Sequence, residues 1–425
     1  MNIPDFNDIK IKNYIPQKIQ LTNGIPVYCF ENKDMDVVFV KIVFKNAGTV
    51  YQDKYFTASL TKTQLAQDTK DYSALSLADA MDYYGVNFSS STSNERTVLN
   101  FSFLKQYQTE VLRLIEQILL YPLFNQDKLD ITINNSKQEF LTKCRQTSFL
   151  AHREFMANLF GRENPYGRYA SFEDYDKVKS EDLKLFYSKR YTFNQCYIIV
   201  AGNTDNVFYN QLGDILGKNN WNADTADTSS GGIAVNLNPK AETTVVNLDS
   251  AVQASVCMGK FFPDIHHKDY IPLTVLNCLF GGYFNSRLMS NIRENKGYTY
   301  GIDSFIAPFS KGSVFMIVTD VTAGMDGRTL EEIFKEIRIL QTQKVSKEEL
   351  DTVKHYMMGE MLRSNDGVSE IADSYDQFVR FGLADDYNGK SMDIVKNITA
   401  DDIIRLAETY LNTDSFIIST AKNTK

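Results

Sequence analysis

Two stretches of this chain, one closing each half, share a plan. Residues 179–203, KSEDLKLFYSKRYTFNQCYIIVAGN, align with residues 399–423, TADDIIRLAETYLNTDSFIISTAKN, with one gap. In both, an acidic helix start leads to a tyrosine, a turn and an aromatic–Ile–Ile strand. Upstream, Leu129-Asp130 and Leu350-Asp351 stand at the same offset from Glu139 and Glu360. A chain that repeats an ordered series of elements is expected to fold as two like units, each with its own core. Its 425 residues are enough for that. Between the halves, residues 219–242 read NNWNADTADTSSGGIAVNLNPKAE, too polar to bury much surface, which marks a linker. The expected domains are therefore residues 1–225 and 235–425.

Within the first half, a polar arm to about residue 17 precedes a hairpin at 18–30, turned at Asn23-Gly24. Residues 37–44 form a dense β-branched run, expected as a buried strand. Helices are expected at 56–67, 75–84, 109–120 and 126–143, with strands at 96–103 and 196–201. After the linker the order recurs: strands at 243–248 and 252–258, a helix near 270, a strand at 313–320, then helices. This mixture predicts an α+β fold of two homologous domains, each a mostly antiparallel sheet with helices packed on one face.

Composition narrows the function. A net charge of −8 and a pI near 5.2 argue against nucleic acid or an anionic membrane as the main partner. No run of about 18 apolar residues exists, so no membrane-spanning helix is expected. The N-terminus MNIPDFNDIKIKNYIP has no continuous apolar core of a signal peptide, so a cytoplasmic location is expected. The five cysteines are scattered with no CxxC, as reduced core residues would be. There is no GxSxG and no glycine-rich phosphate loop.

Residues 279–302, LFGGYFNSRLMSNIRENKGYTYGI, carry the clearest chemical signal. Gly281 and Gly282 end an apolar run. Asn285 or Ser286 can cap a helix whose Leu288 and Ile292 share a face, and Gly297 should stop it in the left-handed conformation. Arg293 falls in the last turn, where the helix dipole favours a cation. Tyr298, Tyr300 and Ile302 then alternate on one side of an expected strand. Doubling back in this way brings Arg293 and Tyr300 towards one point. Two donors with no carboxylate or histidine beside them suit gripping a carbonyl oxygen better than moving a proton.

In this helix–turn–strand, with arginine, six intervening residues and tyrosine, the chain resembles the pitrilysin/mitochondrial-processing-peptidase family of zinc peptidases. With the repeated halves, the resemblance covers nearly the whole chain. It implies that Arg293 and Tyr300 hold the substrate backbone near the scissile bond. It also places the family's zinc motif, HxxEH, on Ser59, Leu60, Thr61, Lys62 and Thr63, and its distal zinc glutamate near Glu139. Serine and threonine are poor zinc ligands and lysine is cationic, so Ser59, Lys62 and Thr63 cannot replace the set. Of the four histidines, His266 and His267 are adjacent and diverge, His355 is five residues from Glu360, and His152 stands with Glu154 but no second histidine. No metal and no catalytic residue is expected on this chain alone. The resemblance then implies a non-catalytic, substrate-binding subunit of a heterodimeric zinc endopeptidase, with zinc and HxxEH on a similar-sized partner and a peptide as substrate. The alternative is an inert scaffold similar to respiratory-complex core proteins.

Overall fold

The computed structural model describes residues 14–222, 233–364 and 366–425. The first sheet comprises β1 (Gln17–Gln20), β2 (Pro26–Glu31), β3 (Val37–Phe44), β4 (Asn87–Thr92), β5 (Thr97–Leu104) and β6 (Cys196–Gly202). Its strand order is β1-β2-β6-β3-β5-β4. The second comprises β7 (Glu242–Asn247), β8 (Gln253–Phe262), β9 (Thr299–Phe309), β10 (Gly312–Thr322) and β11 (Ile417–Lys422), ordered β7-β11-β8-β10-β9. Leaving out β1, the two orders superpose strand for strand. Each has one parallel pair, β2 with β6 and β7 with β11, and is otherwise antiparallel. The duplicated stretches become like elements: the Ser180–Arg190 helix feeds β6, and the Ala400–Tyr410 helix feeds β11. In both helices an aspartate of the first turn accepts from the N-cap amide, Asp182 from Lys179 at 2.8 Å and Asp402 from Thr399 at 3.0 Å.

The hairpin turns where expected, with Gly24 at φ +92°. The strand β4, NFSSST, was not foreseen. It is a polar edge strand whose residues alternate between exposed and half-buried, so it lacks the apolar run that betrays an interior strand. Residues 223–232 of the expected linker, and residues 1–13 of the N-terminal arm, lie outside the described residues. On the linker's described flank, Ile233 and Val235 are half-buried against an apolar cluster built from both halves.

Each half stacks its own helices on one face of its sheet, as the alternating sequence implies. The opposite face is filled from the other half. The Thr147–Phe160 helix lays Leu150, Ala151, Phe155 and Leu159 on β8 and β11 of the second sheet. In return, the Val368–Phe381 helix lays Ile371, Ala372, Tyr375 and Phe378 on β2, β3 and β6 of the first. This exchange explains why β3 and β6 are apolar at both parities: neither face meets water. Charged groups buried at these seams are paired. Asp376 takes Arg96 at 2.7 Å, the Tyr197 hydroxyl and Lys41. Glu95 takes Arg380 at 2.7 Å, the Tyr166 hydroxyl at 2.7 Å and the Ser310 amide at 2.8 Å.

Candidate functional site

The stretch around Arg293 folds as a helix, a turn and a strand, with two departures from regular geometry. Cys278–Gly282 and Met289–Asn295 are π-helical, one residue per turn wider than an α-helix. The widened turn still buries Leu288 and Ile292 completely. Ser286 is the start, accepting from the Met289 amide at 3.5 Å, and Gly297 at φ +66° is the stop. Gly281 is required by packing: a Cβ there would stand 2.5 Å from the Ser304 hydroxyl of β9.

The second departure changes where Tyr300 points. On β10, Thr319 faces Ile302 and Val321 faces Thr299, so two steps on β10 oppose three on β9. That is a β-bulge at Tyr300-Gly301. The Thr299 hydroxyl fixes it by accepting from the Gly301 amide at 3.0 Å and donating to the Asp320 carbonyl at 2.6 Å. The expected alternation of Tyr298, Tyr300 and Ile302 on one side is therefore broken. Ile302 is fully buried, whereas Tyr300 is 91% exposed.

The bulge delivers Tyr300 to Arg293. The guanidinium lies 5.6 Å from the centroid of the Tyr300 ring and 4.8 Å from that of Phe284. Neither the guanidinium nor the Tyr300 hydroxyl has a hydrogen bond or ion pair among the described residues. Both donors are thus held by ring contacts while their hydrogens stay available. Beside Tyr300 opens a cavity of about 580 Å³, whose walls include Ser255, Asp303, Thr319, Asp320 and His152.

A second cavity, of about 600 Å³, gathers the positions of the expected zinc motif: Ser59, Lys62 and Thr63 from the Thr57–Leu65 helix and Glu139 from the Gln126–Lys143 helix. Residues distant in sequence do converge, but their chemistry does not suit zinc. The Ser59 and Thr63 hydroxyls donate to the carbonyls of Phe56 and Ser59, each at 3.0 Å. Lys62 has no partner among the described residues, and burial pushes its amine pKa down. Tyr175, beside this carboxylate, is pushed up to about 12 by burial and then by the charge of Glu139. Among the described residues no three His, Cys, Asp or Glu side chains come close enough to hold a metal ion.

His152 joins the two cavities by lining both. It rides on the exchanged Thr147–Phe160 helix, exposed at the surface, and desolvation by the surrounding protein pushes its imidazole pKa down. In sequence it stands alone; only the exchange of its helix brings it here. His267 and His355 are engaged elsewhere, His267 accepting from the Asp269 amide and His355 contacting the Asp351 carbonyl. Four cysteines are buried and Cys144 is half-buried, all unpaired. No helix among the described residues is long and apolar enough to cross a membrane.

Known proteins place this architecture. The family described as "Insulinase (Peptidase family M16)" matches residues 31–165, and "Peptidase M16 inactive domain" matches residues 177–357. The chain is 24% identical to a non-peptidase homolog, YmxG, of Helicobacter pylori, over 94% of this chain and 93% of that one. It is 22% identical to an uncharacterized zinc protease of Rickettsia felis, over 91% of this chain and 93% of that one. A peptidase M16 inactive domain from Pseudomonas fluorescens has the same fold, with a TM-score of 0.86 over 96% of this chain and 98% of that one, at 22% identity. A protease from Helicobacter pylori superposes with a TM-score of 0.88 over 96% of this chain and 100% of that one, at 18% identity. The chain belongs to peptidase family M16, with residues 177–357 matching the model described as that family's inactive domain.

Proposed function

We propose that this chain is the non-catalytic, substrate-holding subunit of a two-chain zinc endopeptidase, whose similar-sized partner supplies HxxEH and the zinc. The observation that carries this reading is the pair Arg293 and Tyr300, brought together by a bulge, with Tyr300 open to solvent and neither donor hydrogen-bonded among the described residues. A merely structural arginine would be expected to bond a carboxylate or a carbonyl. Here an exposed phenol stands beside a cavity large enough for several residues of peptide, with a planar guanidinium against its ring. Both groups are hydrogen-bond donors, so their task is to bind and polarise backbone carbonyls as negative charge develops on them. Donors aimed at such an oxygen contribute about 2–4 kcal/mol each to the transition state.

Reconstitution with an HxxEH-bearing chain tests this. Arg293→Ala and Tyr300→Phe should leave folding and assembly intact and lower kcat or kcat/KM for peptide cleavage by roughly 10² or more per donor. Arg293→Lys should restore little, because an ammonium lacks the planar fork. Wild-type rates in fully assembled mutants would refute the role. A scaffold would show a third pattern, with any activity following the amount of folded complex.

A further inference from the structure

The cavity at the former metal positions has a charge that the rest of the molecule does not. The chain as a whole carries −8, yet this cavity is lined by Lys62, Lys143, Arg153 and Arg168 against one carboxylate, Glu139. Cations gathered in a concave wall raise the potential there and attract anions. Two of them are spoken for only in part. Arg168 donates to the Gln52 carbonyl at 2.6 Å and stacks on Tyr55. The Arg153 guanidinium lies 4.3 Å from the Tyr169 ring centroid, and its Nε is buried with no hydrogen-bond partner. The side chains of Lys62 and Lys143 have no hydrogen bond or ion pair among the described residues. A half-buried ammonium with no ion-pair partner among the described residues, lining the same cavity as an arginine whose buried Nε is unsatisfied, leaves the site short of an anion.

We propose that this cavity is a carboxylate-binding pocket that takes an acidic side chain of the peptide held at Arg293 and Tyr300. Lys62 supplies the central charge, at the position where the family's zinc peptidases carry a general-base glutamate, and the Arg153 fork supplies directional hydrogen bonds. The Ser59 and Thr63 hydroxyls already donate to backbone and therefore add no competing donors. A peptide is favoured over a free anion because this cavity and the one beside Tyr300 share the wall residue His152, so an extended chain can reach from one to the other. This inference rests on the substrate-holding reading and makes it specific: the preferred substrates are acidic.

The test uses the full chain and two fluorescent peptides that differ only by Glu against Gln, with binding followed by anisotropy. The Glu peptide should bind roughly ten- to hundredfold tighter at low salt, with the difference shrinking at high salt. Lys62→Met, which keeps the apolar stem, should remove most of that preference without lowering the melting temperature, and Arg153→Gln should weaken it. Arg293→Ala should instead weaken both peptides alike. Free glutarate should compete away the preference better than inorganic phosphate does. Equal binding of the two peptides by the wild type, an unchanged preference in Lys62→Met, or phosphate as the better competitor would overturn the pocket while leaving the substrate-holding reading intact. If the wild type binds neither peptide, the substrate-holding reading fails and the pocket fails with it.

Discussion

An ammonium at position 62 is a cost to the fold. Its stem lies along a helix turn, its charge has lost part of its hydration, and no described residue compensates it, so its folded-state pKa sits below the ordinary lysine value. The folded chain therefore binds fewer protons than the unfolded one between that lowered pKa and about 10.4. The penalty is full below the folded pKa and fades as pH rises to the unfolded value. Lys62→Met should accordingly melt above the wild type at pH 7, and the gap should close as pH approaches about 10.4, which thermal melts across alkaline pH will measure. At this scale the sequence was informative in identity and silent in aim. The family resemblance singled out Arg293 and Tyr300 and placed the zinc motif at 59–63, where the absence of ligating types at Ser59, Lys62 and Thr63 could then be read from the sequence. The outward turn of Tyr300 could not, because it depends on a bulge set by one hydroxyl, Thr299, against the neighbouring strand.

The exchanged helices decide how the elements assemble. Phe155 is fully buried, and its ring tip lies against Gly259 of β8, where a Cβ would stand 3.0 Å from it and 2.0 Å from the Phe315 carbonyl. A strand interior with glycine is usually a weakness; here it lets the helix of the other half settle on the sheet. Phe155→Ala should destabilise the chain by about 3–5 kcal/mol, measured by urea unfolding, since it removes a large ring from a closed site. A loss under about 1 kcal/mol would mean that the helix is not seated as described. Sequence disclosed half of this arrangement. Apolar residues at both parities of β3 and β6 called for cover on both faces, but nothing local names the covering helix. The Val368–Phe381 helix is strongly amphipathic and the Thr147–Phe160 helix only weakly so, and the destination of both is set by contacts between residues far apart in the chain. The edge strand β4 was missed for the opposite reason: its serines read as loop because one of its flanks has no neighbour to bury.

Across the whole molecule, the two halves are joined by charged groups as well as by apolar faces. Burial alone would raise the pKa of Glu95; hydrogen bonds from Ser310, Arg380 and Tyr166 outweigh it and hold the carboxyl below its usual range. A depressed carboxylate stabilises the folded state above its unfolded pKa of about 4.3, and that contribution is lost as pH falls through the folded value. Glu95→Gln should cost about 3 kcal/mol at pH 7, as breaking one side of a buried pair does. The deficit relative to wild type should shrink in acid, a comparison made by melting both proteins at neutral and acidic pH. Together these seams bring the cavity beside Tyr300 and the Lys62 cavity to a shared lining residue, His152, although their residues come from both halves. The division of labour between two chains is tested most directly by zinc content and peptide cleavage, measured on this chain alone, on an HxxEH-bearing partner alone, and on their mixture. The expected result is no cleavage and no tightly held zinc for this chain, and cleavage by the mixture well above the partner alone, with about one zinc per pair. A chain that by itself retains about one zinc through chelation and cleaves peptide, or a mixture no more active than the partner, would contradict it.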